Sequence, residues 1–141
     1  MTSALNFRAQ CLCKAVTVLA AKVDPAICAC HCDMCRTWAG SAFLSVDCGA
    51  GVSFEGEAHV RRYDSSPWAQ RGFCAQCGTH LFYYLKAEQR YAMPVGLFAD
   101  TDALVFDSQI FIDEKPHYYS FADHTAMMTG EEAMAAYQNK E

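Results

Sequence analysis

Residues 28–35 read CACHCDMC, four cysteines within eight residues and a histidine among them. No other stretch restricts the fold as much, because thiols packed this densely pair, bind metal or do redox chemistry. The chain carries nine cysteines in 141 residues. An odd count fits a pure disulfide framework poorly, and a chain of this length can bury a core without disulfide staples. The cysteines are also grouped: Cys11 and Cys13, then Cys28, Cys30, Cys32 and Cys35, then Cys74 and Cys77, with Cys48 alone. Metal ligands or catalytic thiols explain such groups better than disulfides do.

Charge narrows the partners. There are 11 basic against 16 acidic residues, a net charge of −5, and no basic run longer than Arg61-Arg62. Proteins that grip phosphates through their surface are usually basic. Nucleic acid and anionic membranes are therefore not expected partners, although a local pocket for a small anion is compatible with the count. The start, MTSALNFRAQCLCKAV, lacks a charged segment followed by an apolar one, as a signal peptide would have. No run approaches the roughly 18 apolar residues of a membrane span. The expectation is a soluble, cytoplasmic protein forming one domain over residues 1–141.

Strand patterns dominate. KAVTVLA (14–20), SAFLSV (41–46), HVRRYDS (59–65), THLFYYL (79–85) and QIFI (109–112) are short, β-prone runs with turn residues between them. YAMPVGLF (91–98) contains Pro94 and Gly96, which predicts an edge or bulged strand. DMCRTWAG (33–40) predicts a short helix ended by Gly40. Thr129 and Glu132 have capping-box spacing ahead of EEAMAAYQNK, which predicts a C-terminal helix at about 130–140. The fold class is mainly β.

Two pairs of cysteines far apart in sequence suggest the first metal site. CAQC followed by Gly78 is a knuckle, in which two sulfurs converge and the glycine lets the backbone turn with its amides toward the thiolates. CLC supplies a second pair, its two side chains on one side of an extended strand. Cys11, Cys13, Cys74 and Cys77 would then form a closed tetrahedral Zn²⁺ site with a structural role. The rival is a redox-active C-x-x-C, which usually opens a helix in an α/β pattern. RGFCAQCGTHLFYY reads instead as strand, knuckle, strand.

Cys30, Cys32 and Cys35 suggest a second site. A strand entering a helical turn could converge these three sulfurs and leave one tetrahedral position free, as in catalytic zinc sites. Three thiolates make the ion a weak Lewis acid, suited to holding a substrate thiol as thiolate. The alternative is a closed site completed by Cys28 or His31. His31 should point away from its cysteine neighbours if the segment is extended, into a packing or supporting role. Cys48 reads as a small buried hydrophobe.

The blocks CLCKAV (11–16), CHCDMCRTWAGSAF (30–43), RRYDSS (61–66), FCAQCGTHLFY (73–83) and QIFIDEKPHYYSFAD (109–123) together resemble the glutathione-dependent formaldehyde-activating enzyme family, also named after centromere protein V. The resemblance covers about residues 8–123. It implies an Mss4-like β-rich fold with two zinc ions per chain. Cys11, Cys13, Cys74 and Cys77 would hold the structural zinc, and Cys30, Cys32 and Cys35 the second, labile one. It also implies a carbon–sulfur lyase activity that joins formaldehyde to glutathione as S-hydroxymethylglutathione. Cys28 and Cys48 lie outside the family's ligand set, and the family's late aromatic position, often tryptophan, falls at Tyr118 or Tyr119. The basic extension of centromere protein V is missing, so no chromosomal role is implied.

On this reading glutathione, or a related small thiol, is co-substrate and partner. Its anionic ends need cations, and Arg36, beside Cys35, is the candidate, with Arg61 and Arg62 behind it. Trp38 is a candidate pocket wall, although a core position is the commoner place for a tryptophan. Two other classes compete: a non-enzymatic zinc module that carries a thiol or binds a protein, and a methionine sulfoxide reductase. The reductase would need a nucleophilic cysteine outside the metal sets, and its zinc usually lies between two C-x-x-C knuckles, whereas one outer pair here is C-x-C.

Overall fold

A computed structural model describes residues 5–138 of the chain. It contains two compact units. One joins the chain up to Pro25 with Ser45–Leu104, and the other joins Ala26–Leu44 with the chain from Val105 onward.

The first unit is mainly β. Strands β1 (Leu5–Gln10), β2 (Thr17–Val23) and β5 (Val52–Glu55) form an antiparallel sheet in the order β1-β2-β5. Strands β4 (Phe43–Gly49, in this unit from Ser45 on), β6 (Val60–Ser66), β7 (Ala69–Cys74), β8 (His80–Leu85) and β9 (Arg90–Pro94) follow the order β4-β9-β8-β7-β6. Apolar side chains of these strands, with Val16 just before β2, fill the core: Val16, Val18, Val23, Val46, Leu81, Phe82 and Met93 are all fully buried. Phe54 of β5 meets Phe82 of β8 with ring centroids 5.4 Å apart, so the two sheets share this core. Burying one such side chain stabilises the fold by roughly 1.5–3 kcal/mol. Arg62 lies across the cluster, its guanidinium 4.7 Å from the Phe82 ring and donating to the Tyr91 hydroxyl at 3.1 Å.

The reading of YAMPVGLF as an edge or bulged strand needs correction. Strand β9 has neighbours on both sides, β4 and β8. It ends at Pro94, which has no N–H to carry the ladder on, and Val95–Leu97 turn into a 3-10 helix. The register shift falls on β4, between Asp47 and Gly49.

The second unit pairs β3 (Ala26–Cys30) with β10 (Val105–Ile110) in parallel, Ile110 opposite Cys30, and β10 with the short β11 (Ala126–Met127). Helix α1 (Asp33–Ala39) is capped by Cys32 and ends at Gly40, whose N–H donates to the Arg36 carbonyl. Trp38 on α1 packs edge-on against Phe43 at 5.5 Å. Helix α2 (Gly130–Gln138) starts with the expected capping box: the Glu132 N–H donates to Thr129 Oγ1 at 3.1 Å, and the Thr129 N–H to Glu132 Oε1 at 2.8 Å. Residues 139–140 of that expected helix lie outside the described residues. Among the described residues, no helix is long and apolar enough to cross a membrane.

Candidate metal centres

The first centre lies at one end of the β1–β2 hairpin. Residues 11–14 form its turn rather than an extended strand, which corrects the expectation for CLC. The Cys11 N–H donates to the Val16 carbonyl at 3.1 Å and the Lys14 N–H to the Cys11 carbonyl at 3.0 Å, with Lys14 at φ 66°. The tight turn brings Cys11 Sγ and Cys13 Sγ to 3.6 Å. Opposite it, β7 runs into the knuckle. There the Gly78 N–H donates to the Cys74 carbonyl at 2.8 Å, and Gly78 takes φ 79°, a left-handed conformation that side chains disfavour. The Leu12 N–H donates to Thr79 Oγ1 at 3.1 Å and fastens the turn to the knuckle.

The sulfurs of Cys11, Cys13, Cys74 and Cys77 all lie within 4.8 Å of one another. Four sulfurs placed about 2.3 Å from a tetrahedral zinc lie about 3.8 Å apart. The measured Cys11–Cys13 and Cys13–Cys74 separations are 3.6 and 3.8 Å, so the donor set fits such an ion. The Val16 N–H points at Cys11 Sγ at 3.3 Å, as an amide facing a thiolate does. The Thr79 hydroxyl and amide draw the Cys77 thiol down to about 5. An amide from Ala15 pulls Cys13 down too, but partial burial and the neighbouring thiols outweigh it and push Cys13 up to about 11. A cation bound among these sulfurs would displace the thiol protons, because metal ligation requires the thiolate.

The second centre is local. Cys30 ends β3, Cys32 caps α1 and Cys35 lies in its first turn. Their three sulfurs lie within 4.8 Å of one another, and among the described residues no further Cys, His, Asp or Glu ligand atom joins them. Cys32 Sγ accepts the Cys35 N–H at 3.3 Å. Hydrogen bonds from Cys32 and Cys35, with burial behind them, hold the Cys30 thiol well above its ordinary range. Neighbouring thiols that resist ionisation together are what a divalent cation relieves, so this set also suits a soft metal.

Cys28 and His31, the two candidates for a fourth ligand, fall outside that group. Burial raises the Cys28 thiol, against a hydrogen bond with the Ser108 side chain that lowers it. His31 is fully buried and turned away from the sulfurs: Nδ1 lies 2.8 Å from the Tyr119 hydroxyl and Nε2 lies 2.8 Å from Gln109 Oε1. Burial holds its imidazole below the usual histidine range. Arg36 donates through Nε to the His31 carbonyl at 2.9 Å, with Nη2 4.0 Å from Asp33. Cys48 is fully buried in the first unit, and burial pushes its thiol up to about 12.

Sequence reasoning missed Gln109, which no motif marks and which is 78 positions from its histidine. It also missed Arg71, a buried residue whose guanidinium lies 4.8 Å from the Tyr83 ring. An arginine in an aromatic cross-strand setting was the available signal there, since Arg71 pairs with Tyr83 in the β7–β8 ladder.

Residues 6–114 match the family of the glutathione-dependent formaldehyde-activating enzyme. The chain belongs to that family. It is 37% identical over 130 residues to an uncharacterized lyase of Schizosaccharomyces pombe, an alignment covering 92% of this chain and 95% of the yeast protein. It is also similar in fold to a Rhodobacter sphaeroides protein of known crystal structure, with a TM-score of 0.54 and 18% identity, covering 65% of this chain and 87% of the other. Family membership and the relative's name support a lyase-like function related to glutathione.

Proposed function

We propose that the chain is a zinc-dependent carbon–sulfur lyase acting on glutathione, or a related small thiol, and its aldehyde adduct. The observation that carries this reading is the second centre: three convergent sulfurs with no fourth protein ligand among the described residues. A zinc ion held by Cys30, Cys32 and Cys35 would favour the thiolate form of a thiol entering the free position. Cys11, Cys13, Cys74 and Cys77 would hold a structural zinc that leaves no position open.

The reaction balances simply. The thiolate sulfur attacks the aldehyde carbon, a C–S bond forms, and the C=O π electrons move to oxygen. That oxygen takes up a proton, giving R–S–CH₂–OH from formaldehyde. The reverse direction breaks the same C–S bond. Thiols and formaldehyde combine without help, so the chain's contribution is thiolate population and orientation. Arg36 is our candidate for pairing with an anionic end of the thiol. It follows Cys35 on α1, and its Nε is already committed to the His31 carbonyl, which holds the guanidinium in one direction.

The test follows exchange between formaldehyde, glutathione and their adduct at equilibrium, by NMR. The zinc-loaded wild type is expected to accelerate exchange over the uncatalysed rate, and Cys30→Ser to abolish the acceleration. No acceleration by the wild type, with both zincs bound, would favour the non-enzymatic module. Arg36→Ala is expected to raise the glutathione concentration needed for half-maximal rate by about 10-fold, a loss of about 1.4 kcal/mol for one charge-assisted contact.

A further inference from the structure

His31 lies between two of the cysteines assigned to the second centre, yet its side chain does nothing there directly. It is held from every side instead. Gln109 donates through Nε2 to Thr125 Oγ1 at 3.0 Å, which turns its Oε1 toward His31 Nε2 at 2.8 Å. Since Oε1 can only accept, Nε2 must carry the hydrogen. Nδ1 is then bare and accepts the Tyr119 O–H at 2.8 Å. The Tyr119 ring also stacks on the imidazole, centroids 5.5 Å apart and planes at 26°. The backbone is fixed as well: the His31 N–H donates to the Ile110 carbonyl at 3.1 Å, and the His31 carbonyl accepts from Arg36 Nε at 2.9 Å.

We propose that Gln109 and Tyr119 are positioning residues for the second metal centre. They hold His31 in the interior and so commit Cys30 and Cys32 to the opposite side, where their sulfurs converge with Cys35. Along an extended backbone, residues i and i+2 face one way and i+1 the other. Cys30 is the last residue of a strand and Cys32 is extended, with φ −62° and ψ 157°. Turning His31 outward would therefore turn both sulfurs away from their meeting point. An apolar residue at position 31 could pack in the same place, but it would leave both Gln109 and Tyr119 without their partner. An imidazole bonded at both nitrogens has one orientation, and fixed orientation is what a three-ligand site needs.

Gln109, Tyr119 and Thr125 all belong to the segment after β10 begins, so metal binding and the ordering of that segment are linked. By reciprocity, loading the centre protects the segment, and loosening the segment weakens the centre.

This rests on reading Cys30, Cys32 and Cys35 as a metal site, and not on the lyase chemistry. The full zinc-loaded chain is titrated with a competing chelator to give zinc affinity at each centre, with Cys30→Ser identifying the second. Gln109→Leu and Tyr119→Phe are each expected to weaken the second centre by about 10-fold or more and leave the first unchanged. Gln109→Glu, which still offers an acceptor to His31 Nε2–H, should restore most of that affinity. Hydrogen exchange should slow across 109–125 when the second zinc binds. Unchanged second-centre affinity in both variants would overturn the proposal, and so would equal weakening at the two centres, which reports general loss of packing. A wild type that binds a single zinc insensitive to Cys30→Ser would overturn the metal reading itself.

Discussion

The two cysteine clusters solve opposite problems. The first joins a hairpin turn to a knuckle, with Cys13 and Cys74 in contact across 61 positions. The second draws its three sulfurs from one strand end and the helix that follows it. Closing the longer loop restricts the unfolded chain more, by roughly 2 kcal/mol on the logarithmic dependence of closure entropy on length. On the function proposed above, an ion in the first cluster would therefore act chiefly on stability. An ion in the second would directly join only a strand end and the helix after it, reaching Gln109 and Tyr119 through His31, and three ligands would leave it a position for chemistry.

Removing a ligand from each cluster should break this comparison most sharply. Cys74→Ser is expected to lose more than about 4 kcal/mol of stability, since binding free energy at a structural site is folding free energy. Thermal unfolding of the zinc-loaded proteins measures this. Cys35→Ser should instead lower metal content by one ion per chain with a much smaller effect on the melting temperature. Equal losses of stability would erase the distinction.

Gly56→Ala probes the first cluster from outside. Gly56 has φ 76°, and an added Cβ would meet the Ala15 carbonyl oxygen at 1.9 Å, next to the turn that carries Cys11 and Cys13. A loss of roughly 2–3 kcal/mol is expected, with the first-centre zinc held less tightly and the second unaffected. Chelator treatment of the wild type sharpens the contrast kinetically: the three-sulfur centre should release its metal first, because an incoming ligand can enter at its free position. Zinc release followed with a chromophoric chelator should show two phases, and Cys30→Ser should remove the fast one. The smallest effect belongs to Cys28→Ser. It should leave metal content unchanged at both centres and cost about 1 kcal/mol or less, because the thiol lies outside the sulfur group.

Much of this was legible in the sequence, for a physical reason. Ligands that converge within a few residues must have short spacings, so CHCDMC announced its own cluster, and the capping box at Thr129 and Glu132 likewise acts within one turn. The helix over 33–40 was readable because Gly40 stands where a left-handed cap is needed, at φ 87°. What escaped were a local turn that no residue type marks and features set by partners far along the chain. CLC looked extended because nothing in it marks a turn. Lys14 takes a positive φ there without being glycine, held by hydrogen bonds between Cys11, Lys14 and Val16. YAMPVGLF looked like an edge because Pro94 lies within the pattern, while the strand in fact ends on that residue. His31 was correctly expected to turn away from its neighbours, but what receives it could not be read, since Gln109 and Tyr119 lie 78 and 88 positions away.

The central claim is that the second centre has three protein ligands and one position open to a thiol. Its most direct test is cobalt substitution, with the thiolate-to-metal charge-transfer absorption recorded as glutathione is added. The account predicts that absorption rises by the share of one additional sulfur at one of the two metals, with a saturable dependence on glutathione, and that Cys30→Ser abolishes the rise. A spectrum of two fully occupied cobalt ions that glutathione leaves unchanged would contradict it.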